Sequence, residues 1–199
     1  MKKILFVIIL FIATDKGFAQ LSQTRYPETA DGGFEWVYGG YGGADAIKVL
    51  DGQGVFAIGN YSGDIICCLK GTNFGFTIPV GSTITGIVLY KTGSSWGVGY
   101  PLDNTLMLIN AAGSLVGDNK ANTSEIWAET YQTWNYGTSS DKWGYDWTVD
   151  EINSPGFGIS LEALIYTYGG WTRGYIDAFS IRVYYSPPKS KNIFFGNAF

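Results

Sequence analysis

A chain of 199 residues with 28 glycines, 17% aromatic and only 15% charged residues has the balance of one turn-rich, strand-rich domain, which excludes a helical bundle or a disordered chain. A net charge of −4 with no basic stripe excludes nucleic-acid binding, which needs cations to offset phosphate. The absence of histidine excludes Ser-His-Asp and Cys-His catalysis and the ordinary zinc sites in one step.

The first predicted element is a secretory leader. Lys2 and Lys3 form its basic start, Ile4 to Ala13 its apolar run, and Gly17-Phe18-Ala19 a small-x-small cleavage site. Cleavage after Ala19 is expected, so the product is expected to be secreted or at the cell surface. The apolar run is shorter than the roughly 20 residues of a membrane span, and no later segment matches it, so no span is expected in the mature chain. Gln20 would become the first residue; because it is not Cys, a lipoprotein anchor is not indicated. Cleavage removes three lysines and one aspartate, leaving a more acidic product. Residues 20–33 are polar, with a proline and a glycine pair, and suit an N-terminal tether.

From residue 34 onward short runs of β-branched, aromatic and aliphatic residues recur between turns. They cover 34–38, 55–59, 65–70, 74–78, 84–90, 106–109, 157–165 and 175–185, the spacing of an all-β antiparallel sandwich. Cys67 and Cys68 fall within one run. Neighbours on a strand point to opposite faces, so they are expected as two small hydrophobes and not as a disulfide. Residues 84–90 are apolar on both faces after Gly86, as in a central or covered strand, and Gly86 is expected to mark a bulge or a close backbone approach. Helix is confined to one short piece at 148–153, where Thr148 and Glu151 form a capping box.

Two runs give firm faces. Phe157, Ile159, Leu161, Ala163 and Ile165 share the inward face while Ser160 and Glu162 point to solvent; Phe179, Ile181 and Val183 share another. Asp177 has the inward parity of the last strand. A buried carboxylate needs donors or a metal, so a structural partner is expected, with a calcium ligand as the sharper alternative. No other metal or cofactor is expected. After a domain spanning 34–186, residues 187–199 form a proline-containing linker and an apolar strip from Ile193 to Phe199. That strip either docks on its own sandwich or donates a strand to a neighbour, giving self-association.

Several segments together resemble functionally unassigned jelly-roll-like β-sandwich modules of bacterial secreted and phage-associated proteins. They are residues 73–79 (NFGFTIP), 81–87 (GSTITGI), 116–121, 136–144, Trp147-Thr148 with 150–153, and 176–185. The resemblance spans about 34–186 and implies a jelly-roll-like sandwich, with no catalytic site. The chain departs from it at Val88 and Tyr90, where similar modules carry charge, so the outer face of that strand is expected to be covered or adhesive.

The chemistry left is binding. Trp96, Tyr100, Trp134, Tyr136, Tyr166, Tyr168 and Trp171 lie in or beside segments rich in Gly, Ser, Thr and Asn, and rings on loops can stack on sugar faces. The ligand-binding candidates are Trp96, Tyr100, Trp134, Tyr168 and Trp171, with Trp96 and Trp171, flanked by glycine or small polar neighbours, the best candidates for exposed rings. The expectation is a non-catalytic module for adhesion or surface structure, with a glycan or a surface protein as partner. The alternative is a carbohydrate-active enzyme using two carboxylates, drawn from Glu35, Glu125, Glu129, Glu162 and the aspartates, although no local pattern pairs them.

Overall fold

The computed structural model describes residues 19–33, 35–38 and 43–189. The expected leader before Ala19, Phe34, residues 39–42 and the 193–199 strip lie outside the described residues.

Among the described residues nine antiparallel strands, a 3-10 turn and one helical turn make up the fold. Its frame is a ribbon of two long strands, β6 (Thr83–Ile109) and β9 (Gly158–Ser186), which pair from Thr83↔Ser186 to Ile109↔Gly158. Such a ribbon cannot stay flat. Register shifts at 84/86, 92/93, 97/99 and 103/105 each insert unpaired residues, and bulges of this kind bend and twist a ladder. At the third shift Thr172 pairs Gly97 while Thr167 pairs Gly99, so 168–171 on β9 stand opposite Val98 alone. There the ribbon folds over.

Each half of the ribbon nucleates one layer of the sandwich. The first half of β6 and the second half of β9 carry β1 (Leu21–Arg25), β4 (Val55–Gly59) with β3 (Trp36–Tyr38) beyond it, and β8 (Gln132–Tyr136). The other halves carry β5 (Asp64–Thr72) with β2 (Thr29–Asp31), and β7 (Leu115–Val116). One hydrophobic cluster draws on both layers. Phe157, Ile159, Leu161, Ala163, Ile165, Phe179, Ile181 and Val183 are all fully buried, as the alternation predicts. Burying a side chain of the larger aliphatic or aromatic kind contributes about 1.5–3 kcal/mol, so this cluster is the main source of stability. Trp143 and Trp147 add bulk, their indole N–H groups donating to the carbonyls of Ile87 and Lys142 at 3.0 Å each.

The short helix α1 (Val149–Ile152) starts at the predicted box: Thr148 Oγ1 accepts the Glu151 N–H, and Glu151 Oε2 accepts the Thr148 N–H. Gly86 sits at a register shift, and a Cβ there would lie 2.3 Å from the Ser139 backbone, which satisfies both expectations for it. Among the described residues no helix is long and apolar enough to cross a membrane.

Four expectations need correction. Residues 20–33 are not a tether: β1 pairs β9 and β2 pairs β5, because a polar edge strand needs backbone groups more than apolar side chains. Residues 74–78, expected as a strand, bury Phe74, Phe76 and Ile78 in alternation but join no ladder. Side-chain amides replace the missing strand, Asn153 binding both N–H and C=O of Ile78 and Gln23 both of Thr77.

Cys67 and Cys68 form a disulfide between adjacent residues. Their place explains it, since a shift between Ile66 and Leu69 takes both out of the alternating ladder that would separate their sulfurs. Glu162 is half-buried and its Oε1 lies 3.6 Å from both sulfurs, while Ser160 is buried; neither points freely to solvent. The cysteine pair, set out of the β5 ladder, is what comes up against Glu162.

Candidate functional site

The bend of the ribbon carries the exposed aromatics. Trp96 ends the first half of β6 and pairs with Arg173, which places Trp171, Arg173 and Tyr175 on one side of β9 by simple alternation. The Trp96 and Trp171 rings lie 4.6 Å apart, tilted by 47°, and keep 58% and 39% of their surface exposed. Such large apolar rings in water at adjoining positions are unusual for surface that does nothing but solvate. Beside them Tyr100 touches Tyr166 at 5.3 Å and Tyr168 at 6.0 Å, and Tyr168 is 72% exposed. A hydrogen bond with Tyr168 holds the Tyr100 phenol above its usual range.

Arg173 fixes this surface from beneath. Its guanidinium lies 4.6 Å from the centroids of both Trp171 and Phe56 and 5.8 Å from that of Trp96, while Nη1 donates to the Tyr175 hydroxyl at 3.2 Å. Each cation–π contact of this kind is worth about 0.5–1 kcal/mol at an exposed site. Trp96 divides two hollows. One, of about 440 Å³, is lined by Ser94, Glu129, Tyr131, Arg173 and Tyr175; the other, of about 320 Å³, is lined by Val98, Gly170 and Trp171. Burial raises the Tyr131 phenol above its usual range, helped by the charge of Asp177, so Tyr131 is a hydroxyl donor throughout the neutral range. Flat rings flanked by hydroxyl, carboxylate and guanidinium groups can take a sugar's C–H face and its hydroxyls together.

Four of the five sequence candidates, Trp96, Tyr100, Tyr168 and Trp171, thus gather at the bend. They stand on strand residues and not on loops: glycines and serines around them read as loop because the bend needs backbone room. A Cβ at Gly97 or Gly99 would fall 2.4 Å from the Trp171 carbonyl or 1.9 Å from that of Tyr166. Trp134 does not join them. It lies buried on β8, its ring 6.2 Å from Trp127 and its N–H donating to Glu125 at 2.9 Å, so it belongs to the core; Tyr136 on the same strand is also buried. Arg173, Tyr131 and Tyr175 escaped the sequence reading, although the 171/173/175 spacing carries the signal for two of them.

Glu35, Glu162 and Glu125 are engaged with other partners. Glu35 accepts the Cys67 N–H at 2.6 Å, Glu162 faces the cysteine pair, and Glu125 accepts Trp134 and the Asn122 amide. Asp177 is the extra residue where Thr92↔Ala178 passes to Gly93↔Ile176, and its carboxylate accepts the N–H groups of Asp51 and Gly52 at 3.1–3.4 Å. These are the donors of a structural partner. Burial still raises its carboxyl above the usual range.

A second polar centre is wholly internal. Lys91, on the first half of β6, and Asp103, on the second, form a fully buried ion pair. The Lys91 nitrogen lies 4.2 Å from the centroid of Trp127 and 4.4 Å from that of Trp134. Asp103 also accepts Trp127 Nε1 at 2.9 Å, the Tyr136 hydroxyl at 2.6 Å and the Asn122 N–H at 3.3 Å. No sequence pattern pointed to this pair.

No family model and no curated protein matches the chain. Among solved structures it is similar to the N-terminal cellulose-binding domain of the β-1,4-glucanase C of Cellulomonas fimi, at 16% identity and a TM-score of 0.33, over 75% of this chain and 90% of that one.

Proposed function

We propose that this protein is a non-catalytic carbohydrate-binding β-sandwich module, secreted or held at a cell surface, that uses the aromatic surface at the ribbon bend for adhesion. The observation that carries the reading is the exposed Trp96 and Trp171 pair, pinned by Arg173 and bordered by a hollow that Ser94, Glu129 and Tyr131 help to line. Pinning matters because a ring already fixed in its bound orientation loses little freedom on binding. Partners for sugar hydroxyls are at hand in Tyr131, Glu129 and Ser94. The basic start, apolar run and small-x-small site of residues 1–19 have the pattern of a leader, which supports delivery outside the cell.

The test is retention on a panel of soluble and insoluble polysaccharides. Trp96→Ala and Trp171→Ala should each weaken binding about tenfold or more, the effect of removing an anchor worth at least 1.4 kcal/mol. Both variants should keep the far-ultraviolet spectrum of the parent, since neither ring belongs to the core cluster. Retention on no polysaccharide, or retention untouched by either change, refutes the reading.

A further inference from the structure

The Lys91 and Asp103 centre has more chemistry than a sandwich core needs. A buried ion pair is a weak stabiliser, because desolvation offsets most of its attraction. This one is also arranged for reaction: the amine and the carboxyl are in direct contact, closed off by Trp127, Trp134 and Tyr136, with Trp127, Tyr136 and the Asn122 N–H donating to the carboxyl oxygens. We propose that Lys91 Nζ and Asp103 Cγ condense into an amide, a covalent tie between the two halves of β6 and therefore between the two layers of the sandwich.

The step balances without any other reagent. One ammonium proton passes from Lys91 to the Asp103 carboxylate, leaving an amine and a carboxylic acid. The nitrogen lone pair adds to Cγ, a second proton moves from nitrogen to the departing oxygen, the C–O bond breaks and water leaves. An ammonium and a carboxylate become an amide and one water, with no change in oxidation state.

The surroundings favour each part. Burial pulls the Lys91 amine below its usual range, against the attraction of Asp103, so the nucleophilic form is accessible. Burial and the Asp103 charge push the Tyr136 phenol far up, so it stays protonated as a donor to Oδ2. Oδ2 becomes the oxyanion of the tetrahedral intermediate, stabilised by Tyr136 and the Asn122 N–H, while Trp127 Nε1 donates to Oδ1, the oxygen that takes the Lys91 proton and departs. Glu125, which accepts Trp134 and Asn122 and acts electrostatically on Lys91, is a positioning residue for the cage. Exclusion of bulk water protects the product from hydrolysis.

Trypsin gives a direct readout, because an acylated Lys91 is not cut. The purified full chain is denatured, digested and measured by mass spectrometry. The expected product is one peptide covering 71–120, uncut at Lys91 and lighter by one water than its sequence, with fragment ions placing the link between Lys91 and Asp103. Free peptides 71–91 and 92–120 at full mass overturn the proposal. Asp103→Ala, digested after denaturation whether or not it folds, should be cut at Lys91; an uncut Lys91 there also overturns it. Tyr136→Phe keeps the ring and removes the donor, and should accumulate the linked peptide at least tenfold more slowly; equal rates refute the role given to Tyr136.

Discussion

The carboxyl of Asp141 sits where three segments meet. It accepts Lys120 Nζ at 2.9 Å and the Trp143 N–H at 2.8 Å, while the Asp141 carbonyl accepts the Ile87 N–H at 2.9 Å. Burial works against its charge, but the Lys120 and Trp143 hydrogen bonds outweigh it and hold the carboxyl below its ordinary 3.8. A carboxyl depressed in the folded state adds stability that is complete above the unfolded value and is lost as pH falls through the folded one. Lys120→Met should therefore lower stability at neutral pH by about 1 kcal/mol. That deficit should shrink as pH drops below 3.8, where the wild type loses the same contribution. Thermal melts at stepped pH check this, and a deficit unchanged in strong acid would refute it. Single residues were legible in sequence where chemistry forces their hand. Asp177 needed donors and found backbone N–H groups, and Trp96 and Trp171 stood among small neighbours and stayed exposed. Lys91 was not legible, since nothing in the local sequence places a lysine inside an aromatic cage formed by residues 36 and more positions away.

Elements were legible where one face is apolar and the other polar, as in 157–165 and 179–183. They were illegible where pairing depends on backbone alone, as in β1, or where a side chain stands in for a strand, as at 74–78. Asn153 is the clearest of these substitutes. Asn153→Ala removes both links to Ile78 and leaves its N–H and C=O without those partners, so it should cost about 2 kcal/mol, measured as a lower denaturant midpoint at unchanged slope. A shift within error would mean that another group takes over. The bend is the second such element. Gly97 has φ of 129°, and Gly99 has the Tyr166 carbonyl where a Cβ would stand. Gly99→Ala should cost about 3 kcal/mol and loosen the aromatic surface, seen as reduced stability together with weakened polysaccharide retention. Stability intact after that change would mean that the ribbon bends elsewhere.

At the scale of the molecule, one ribbon builds both layers and one cluster fills the space between them, so neither layer has a core of its own. Unfolding should then be a single transition. Tryptophan fluorescence, dominated by buried rings such as Trp127 and Trp143, and the far-ultraviolet signal should fall together with denaturant; separate midpoints would show that one layer survives the other. Pairing Thr83 with Ser186 makes the contacts strongly non-local, which places folding on the order of milliseconds to seconds. The all-β class was legible from composition and period. The ribbon was not, because its glycine- and serine-rich middle has no apolar alternation to mark it as strand.

The folding-over of β6 and β9 also decides where mechanical load would enter the molecule. A polymer gripped at Trp96 and Trp171 hangs from the hinge shared by both long strands, so tension divides between two ladders instead of peeling one edge. Detachment under flow would then begin at the rings themselves, with the scaffold behind them still closed.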